Sequence, residues 1–445
     1  MALRDSGVAE LLPTVDAAVF DEAHQLVEAG VQFLGTTLGT GQAVELGRDL
    51  LGTGLSQAHG LQPWPELQAG LERAARELRL ACAGALHDVR GLIKLRWDER
   101  AANSALVPML RALAEAALEA AEALAGVAEI GPDFGKLEQR ARSIASLAQR
   151  FESEAPDGQV RWIDLSPQQA RLVESPLDIR EMLSEQRALA PKAWIFTSAT
   201  LGEDDKLSWF TAATGLEDAV KLRVGSPFDY ATNARLWVPA RLPKPNDAAH
   251  PAAVGALAAR LAGALGGRSF VLTTTLRVLP AIAEALRAEA ACRGHVLEVL
   301  VQGTQPRRAL LQRFGDGRGC VLVGSQSFWE GIDMPGDALQ CVVIDKLPFP
   351  PPNDPLVEAR VRQLKAQGRD AFNEYFVAEA AVSLKQGAGR LIRTESDRGL
   401  LVVCDPRMRQ MGYGRRLLGA LPPMGQLHDE TSALEWLAAL AVDHW

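Results

Sequence analysis

Phe270-Val271-Leu272, Val296-Leu297-Glu298-Val299-Leu300-Val301, Cys320-Val321-Leu322-Val323, Cys341-Val342-Val343-Ile344 and Leu400-Leu401-Val402-Val403 are short apolar runs spaced along the second half of the chain. A strand that is apolar at successive positions leaves no face for water, so it must be covered on both sides. Helix-like stretches fill the gaps, among them Ala252 to Leu265 and Leu276 to Ala291. Strand alternating with helix predicts an α/β fold, a parallel sheet with helices on both faces.

Outward from that core, Pro243-Lys244-Pro245-Asn246-Asp247 reads as a surface loop or linker. Before it, Ala193-Trp194-Ile195-Phe196 is a short apolar strand, and Val160 to Leu165 with Arg171 to Glu174 reads as a strand pair. From about Trp64 to Phe151, alanine, leucine, glutamate and arginine dominate at helical spacing, which predicts several long packed helices. Gly131-Pro132-Asp133 breaks two of them, and the glycine-rich Gly35 to Gly60 reads as loops around a shorter helix. Val15 to Phe20, interrupted only by Asp16, reads as a buried strand.

The 445 residues suggest two or three domains, and 47% apolar with 23% charged residues is ordinary for a globular protein. No uninterrupted apolar stretch is long enough for a membrane span, and the first residues lack the apolar centre of a signal peptide, so a cytoplasmic address is expected. The net charge of −8 argues against bulk capture of nucleic acid but permits a local basic groove. Cys82, Cys292, Cys320, Cys341 and Cys404 form no Cys-x-x-Cys pair and read as free thiols rather than as zinc or iron–sulfur ligands.

The chemistry is carried by four turns and one helix. Asp21-Glu22-Ala23-His24 follows the Val15–Phe20 strand. Asp21 suits Mg²⁺ held through water on nucleotide phosphates, and Glu22 suits orienting or deprotonating the attacking water. An acidic pair alone is often a solvated loop; the added Ala23-His24 makes the pattern more specific. Thr197-Ser198-Ala199-Thr200 reads as a helix-capping turn; it also resembles helicase motif III, which implies a coupling role for the hydroxyls of Ser198 and Thr200. Thr273-Thr274-Thr275 suits N-capping, phosphate binding or both. Ser325 and Gln326 suit a DNA phosphate, and Gly331 and Asp333 suit the ribose and metal-bound waters of a nucleotide. Taken alone, that loop is an ordinary strand–loop–helix connection with Trp329 in the core. Gln386-Gly387-Ala388-Gly389-Arg390-Leu391-Ile392-Arg393 predicts a helix with Arg390 and Arg393 on one face, where both could stabilise charge on a transferring phosphoryl group. An arginine finger is worth roughly 10³–10⁵ in rate. The Leu347-Pro348-Phe349-Pro350-Pro351-Pro352 run reads as a rigid turn.

The order of these motifs resembles helicase motifs II to VI, and the chain resembles the DinG/YoaA/XPD branch of superfamily 2 DNA helicases over nearly its whole length. Asp-Glu-Ala-His, a long insertion, Thr-Ser-Ala-Thr, Phe328-Trp329-Glu330-Gly331-Ile332-Asp333, Leu347-Pro348-Phe349 and Gln-x-x-Gly-Arg-x-x-Arg carry the resemblance. It implies a complete RecA-like parallel-sheet motor domain over 236–445 and a partial first motor domain over 1–24 and 157–235. An all-helical arch-like insertion over 25–156 would separate the two parts. It also implies ATP-driven movement on single-stranded DNA in the 5′-to-3′ direction, in DNA repair or replication stress. ATP and Mg²⁺ are the implied substrate and ion. Asp21, His24, Glu330, Gly331 and Asp333 would bind nucleotide, and Asp21, Glu22, Gln386, Arg390 and Arg393 would act in catalysis. Thr273, Thr274, Thr275, Ser325 and Gln326 would hold DNA. A monomer with single-stranded DNA, no membrane and a repair or replication protein as partner is expected. In the family a Gly-Lys-Ser/Thr phosphate loop and four iron–sulfur cysteines precede Asp-Glu-Ala-His; only twenty residues do so here. The expectation is that this chain alone binds ATP poorly and does not unwind DNA. The alternative is a non-enzymatic remnant that binds single-stranded DNA or a partner.

Overall fold

The computed structural model describes residues 15–442 except 87, 90, 102–104, 190, 191, 203, 317, 318, 326, 327 and 329–335. The described strands are β1 (Ala17–Phe20), β2 (Thr36–Gly39), β3 (Ile93–Arg96), β4 (Gln159–Leu165), β5 (Ala170–Pro176), β6 (Ala193–Phe196), β7 (Ala234–Trp237), β8 (Ser269–Thr273), β9 (Glu298–Val301), β10 (Cys320–Ser325), β11 (Cys341–Ile344), β12 (Gly399–Val403) and β13 (Gly425–Leu427). The chain forms two compact units. One comprises Met1–Ser198, Ala212–Leu216 and Pro351–Gln367; the other comprises Ala199–Thr211, Glu217–Pro350 and Gly368–Trp445.

The second unit is built on a parallel sheet of order β13-β7-β12-β11-β8-β10-β9. Because strand side chains alternate between faces, the apolar runs divide into two cores. Phe270, Leu272, Leu322, Val342, Ile344 and Leu401 join one, with Val377 and Leu384 of the helix Val377–Gly389. Val271, Val321, Val323, Val343, Leu400 and Val402 join the other, against Leu257 and Leu261 of the helix His250–Leu265. Each of the five apolar runs contributes a strand to this sheet, but the second does so only from Glu298, and Val296 at its start is 95% exposed. β7 and β13 were not foreseen, because Arg235 interrupts the first and β13 is only Gly425-Gln426-Leu427. Arg235 occupies its place by lying over the Trp436 ring, with its guanidinium 4.1 Å from the centroid.

The first unit holds β1 paired in parallel with β6, Phe20 opposite Phe196, and an antiparallel sheet of order β2-β5-β4-β3. Long helices Trp64–Ala83, Leu106–Ala125 and Pro132–Glu152 bury Leu71, Leu78, Leu113, Leu124 and Phe134 in one core. Two expectations are corrected here. The insertion is mainly helix but not all helix, since β2 and β3 fall inside it and complete the sheet begun by the β4–β5 pair. The glycine-rich segment does hold the expected helix, but that helix runs 18 residues, Thr40–Gln57, and β2 rather than a loop precedes it. Glycine is a poor helix former, but at Gly54 a Cβ would lie 2.3 Å from the Trp64 ring, so its absence admits the neighbouring helix. Packing of that kind overrides propensity.

A buried charge ties helix to sheet in this unit. Arg161 and Glu174 are each 1% exposed and pair at 2.6 Å. Arg161 also donates to the Arg150 carbonyl at 2.9 Å and the Phe151 carbonyl at 3.3 Å. These are carbonyls at the end of the helix Pro132–Glu152, which have no partners within the helix itself.

Candidate active site

In the first unit the ends of β1 and β6 lie side by side, and this brings Asp21-Glu22-Ala23-His24 against Thr197-Ser198. The pairing continues past the strands: the Thr197 amide donates to the Phe20 carbonyl and the Ala23 amide to the Thr197 carbonyl, both at 2.9 Å. The Thr197 hydroxyl donates to Asp21 Oδ1 at 3.0 Å. The Ser198 hydroxyl donates to Glu22 Oε2 at 3.3 Å and lies 2.8 Å from His24 Nδ1. His24 Nδ1 is 3.2 Å from the same Glu22 oxygen. Glu22 sits in the left-handed backbone region, φ 49°, which costs a non-glycine residue on the order of 1–3 kcal/mol and is found mostly at functional turns. Its side chain stays 63% exposed while that of His24 is 10% exposed. Burial pushes the His24 imidazole below its ordinary range, against the opposing pull of the Glu22 carboxylate. The neutral ring is therefore favoured.

Thr197 is a site residue that sequence reasoning missed. The available signal was its position at the end of β6, in line with the turn after β1. Thr200 is buried and falls in the second unit, where with Trp209, Arg223, Val382 and Lys385 it lines a small cavity. Within the second unit, Lys385 Nζ donates to the Ala199 carbonyl at 2.5 Å.

At the carboxyl ends of the second unit's strands, Ser325 of β10 lies opposite Thr273 of β8. Both are buried. Ser325 donates its amide and hydroxyl to Gln302 Oε1 at 2.7 and 3.0 Å, and the Thr273 hydroxyl donates to the Thr275 carbonyl at 3.1 Å. The Thr274 hydroxyl oxygen is buried with no protein hydrogen-bond partner among the described residues. Buried polar atoms are nearly always satisfied, so a water or ligand oxygen fits there. The Thr274 and Lys346 amides donate to Asp345 Oδ1 at 3.0 and 2.8 Å. Burial pushes Asp345 up to about 6, against the lowering by the Lys346 charge and these two amides. Neither Gln302 nor Asp345 was foreseen, because nothing in sequence marks a lone Gln or Asp as facing a neighbouring strand end.

Gln386 lies on the helix Val377–Gly389, but Arg390 is its cap and Arg393 follows in a turn. The expectation of two arginines on one helical face is corrected: the helix stops at Gly389, and the buried Leu391 and Ile392 hold the chain on the core instead. Asp397 sets the turn by accepting the amides of Arg393 and Thr394 at 2.7 and 2.8 Å. Gln326, Glu330, Gly331 and Asp333 lie outside the described residues.

Among the described residues no three His, Cys, Asp or Glu side chains gather into a metal site. Asp21 is a single exposed carboxylate, which suits Mg²⁺ held mainly by substrate phosphates and waters. The cysteines are free thiols; burial pushes Cys82 and Cys341 up to about 12. No helix of the described residues is long and apolar enough to cross a membrane.

Hydroxyls and amides at the strand ends of the second unit, and an acidic turn after a strand in the first, are groups suited to phosphates and their metal ion; likeness to known proteins places them in a helicase. Residues 258–424 match the helicase C-terminal domain family. The chain is 34% identical over 440 residues to the ATP-dependent DNA helicase YoaA of Escherichia coli, covering 98% of this chain and 67% of that protein. It is 36% identical over 271 residues to the ATP-dependent helicase DinG of Mycobacterium tuberculosis, covering 60% of this chain and 40% of that one. The structure of S. tokodaii Xpd4 shares the fold with a TM-score of 0.58 at 13% identity, over 96% of this chain and 81% of that one. The chain belongs to the YoaA/DinG family of ATP-dependent DNA helicases.

Proposed function

We propose that this chain carries the water-activating, phosphate-sensing and strand-gripping residues of a helicase that moves 5′-to-3′ on single-stranded DNA during repair or replication stress. The observation that supports it most is the hydrogen-bonded set at the ends of β1 and β6: Asp21 with Thr197, and Glu22 with Ser198 and His24. Glu22, exposed and free to accept a proton, orients or deprotonates the water that attacks the terminal phosphate. Asp21 would hold waters of Mg²⁺, which supplies positive charge to the phosphates. His24, neutral by burial, sets its Nδ1 against both Ser198 and Glu22, and Ser198 donates directly to Glu22, so a change at the nucleotide reaches Ser198. Gln386, Arg390 and Arg393 act on the phosphates, with Glu330, Gly331 and Asp333 on the rest of the nucleotide. Thr273, Thr274, Thr275, Ser325 and Gln326 hold the DNA backbone rather than particular bases. The protein works as a cytoplasmic monomer with a repair or replication protein as partner.

The test is strand displacement from duplexes with a 5′ or a 3′ single-stranded tail, using the protein expressed from its native gene. ATP-dependent displacement from the 5′-tailed duplex is expected. Tail binding that is indifferent to ATP, with no displacement, would favour a binding-only role.

A further inference from the structure

The Leu347–Pro352 run is more than a rigid turn. Leu347 is buried, and its amide donates to Asp405 Oδ2 at 3.0 Å. Two residues on, the Phe349 ring meets Tyr413 edge-on at 5.7 Å and Phe372 at 5.8 Å, and Phe372 meets Tyr413 at 5.3 Å. Arg407, paired with Asp405 at 2.6 Å, lies over Phe349 at 5.8 Å. Phe349 and Tyr413 pack against the sheet core. Phe372 stands apart from them: it is 43% exposed and begins a π-helical turn, Phe372–Phe376, with Phe376 stacked at 6.1 Å. Such turns are frequent at functional sites.

A cation stands beside this turn: Arg416 is exposed and its Nη1 donates to the Asn373 carbonyl at 3.2 Å, with the exposed Arg415 next to it in sequence. The nearby carboxylates are engaged locally: Glu374 pairs with Arg369 at 2.6 Å, and Asp370 accepts the amides of Phe372 and Asn373 at 3.1 Å each. An exposed ring on an aromatic base, with the Arg416 guanidinium held on the same turn, fits unpaired bases and their phosphates. Stacking tolerates any base, while the cations follow the backbone. Phe349 also follows closely on Asp345, which holds the Thr274 amide at the strand ends.

We propose that Phe372, supported by Phe349 and Tyr413, is a base-stacking platform for single-stranded DNA on the second unit. This rests on the reading that the protein grips single-stranded DNA. Equilibrium binding of an oligothymidylate and of a blunt duplex is measured for the unaltered protein, Phe372→Ala and Phe372→Trp, with a thermal melt of each. Phe372→Ala should weaken the single strand roughly ten-fold, the loss of about one base stack. Duplex binding and the melt should stay unchanged, and Phe372→Trp should restore single-strand binding. Single-strand affinity of Phe372→Ala equal to that of the unaltered protein overturns the platform alone. So does an equal loss on single strand and duplex. Absence of single-strand binding by the unaltered protein overturns both the platform and the functional reading beneath it. As a second measurement, ultraviolet cross-linking to oligothymidylate should map to the peptide bearing Phe372; adducts confined to other peptides also overturn the platform.

Discussion

The seven-stranded sheet and the β1–β6 pair are both parallel and both end in polar turns, yet they are buried very differently. Every residue of β10 and β12 is buried. β1 and β6 alternate exposed and half-buried positions, with Val19 64% and Ile195 44% exposed. A parallel strand is apolar on both faces only where layers cover both, and two helical layers do so for the larger sheet. The acidic turn after β1 is therefore held by hydrogen bonds across strand ends rather than by depth. Its chemistry can be altered with little effect on folding, whereas the larger sheet ties its polar groups to stability.

Three substitutions sharpen this contrast. Leu322→Ala, at a fully buried position of β10, should cost the most, on the order of 2–5 kcal/mol, read as a lower urea midpoint. A loss under about 1 kcal/mol would mean that the sheet is less tightly packed than described.

Asp345→Asn comes next and depends on pH. The folded carboxyl titrates at about 6, above the ordinary value near 3.9, so the fold favours the protonated form. The penalty of ionisation is absent below the unfolded value, grows as pH rises, and is fully present above about pH 6. Asparagine keeps the oxygen that accepts from Thr274 and Lys346 while removing the charge. It should raise stability on the order of 2–3 kcal/mol at pH 7.5 and by little near pH 4, measured by urea melts at both. An equal effect at both pH values would contradict the burial of charge.

Val19→Ala should change the midpoint least, within about 0.5 kcal/mol. A loss as large as that of Leu322→Ala would show that further layers cover this face of β1.

The buried sheet was the most legible part of the sequence. Runs such as Val342-Val343-Ile344 have few other uses, and they became strands. β7 was hidden by Arg235, whose charge is met by stacking on a tryptophan two hundred residues away. The extent of the helix Thr40–Gln57 was masked by glycines whose value lies in the partner they admit. In the site, Asp21, Glu22 and Ser198 could be named separately, but their hydrogen bonds join turns on either side of the whole insertion, and spacing alone does not specify such contacts. The Gln-x-x-Gly-Arg-x-x-Arg segment was legible as a motif and misread as continuous helix, because the apolar pull of Leu391 and Ile392 toward the core ends the helix at Gly389.

ATP turnover in the presence of single-stranded DNA, compared between the protein expressed from its native gene and its Glu22→Gln variant, tests the role of the β1 turn most directly. Glutamine keeps an oxygen to accept from Ser198 but cannot take a proton. Turnover should fall about a hundred-fold or more, the usual worth of a general base, with DNA binding and the thermal melt unchanged. Undiminished turnover by Glu22→Gln would contradict the assignment of this turn as the hydrolytic centre.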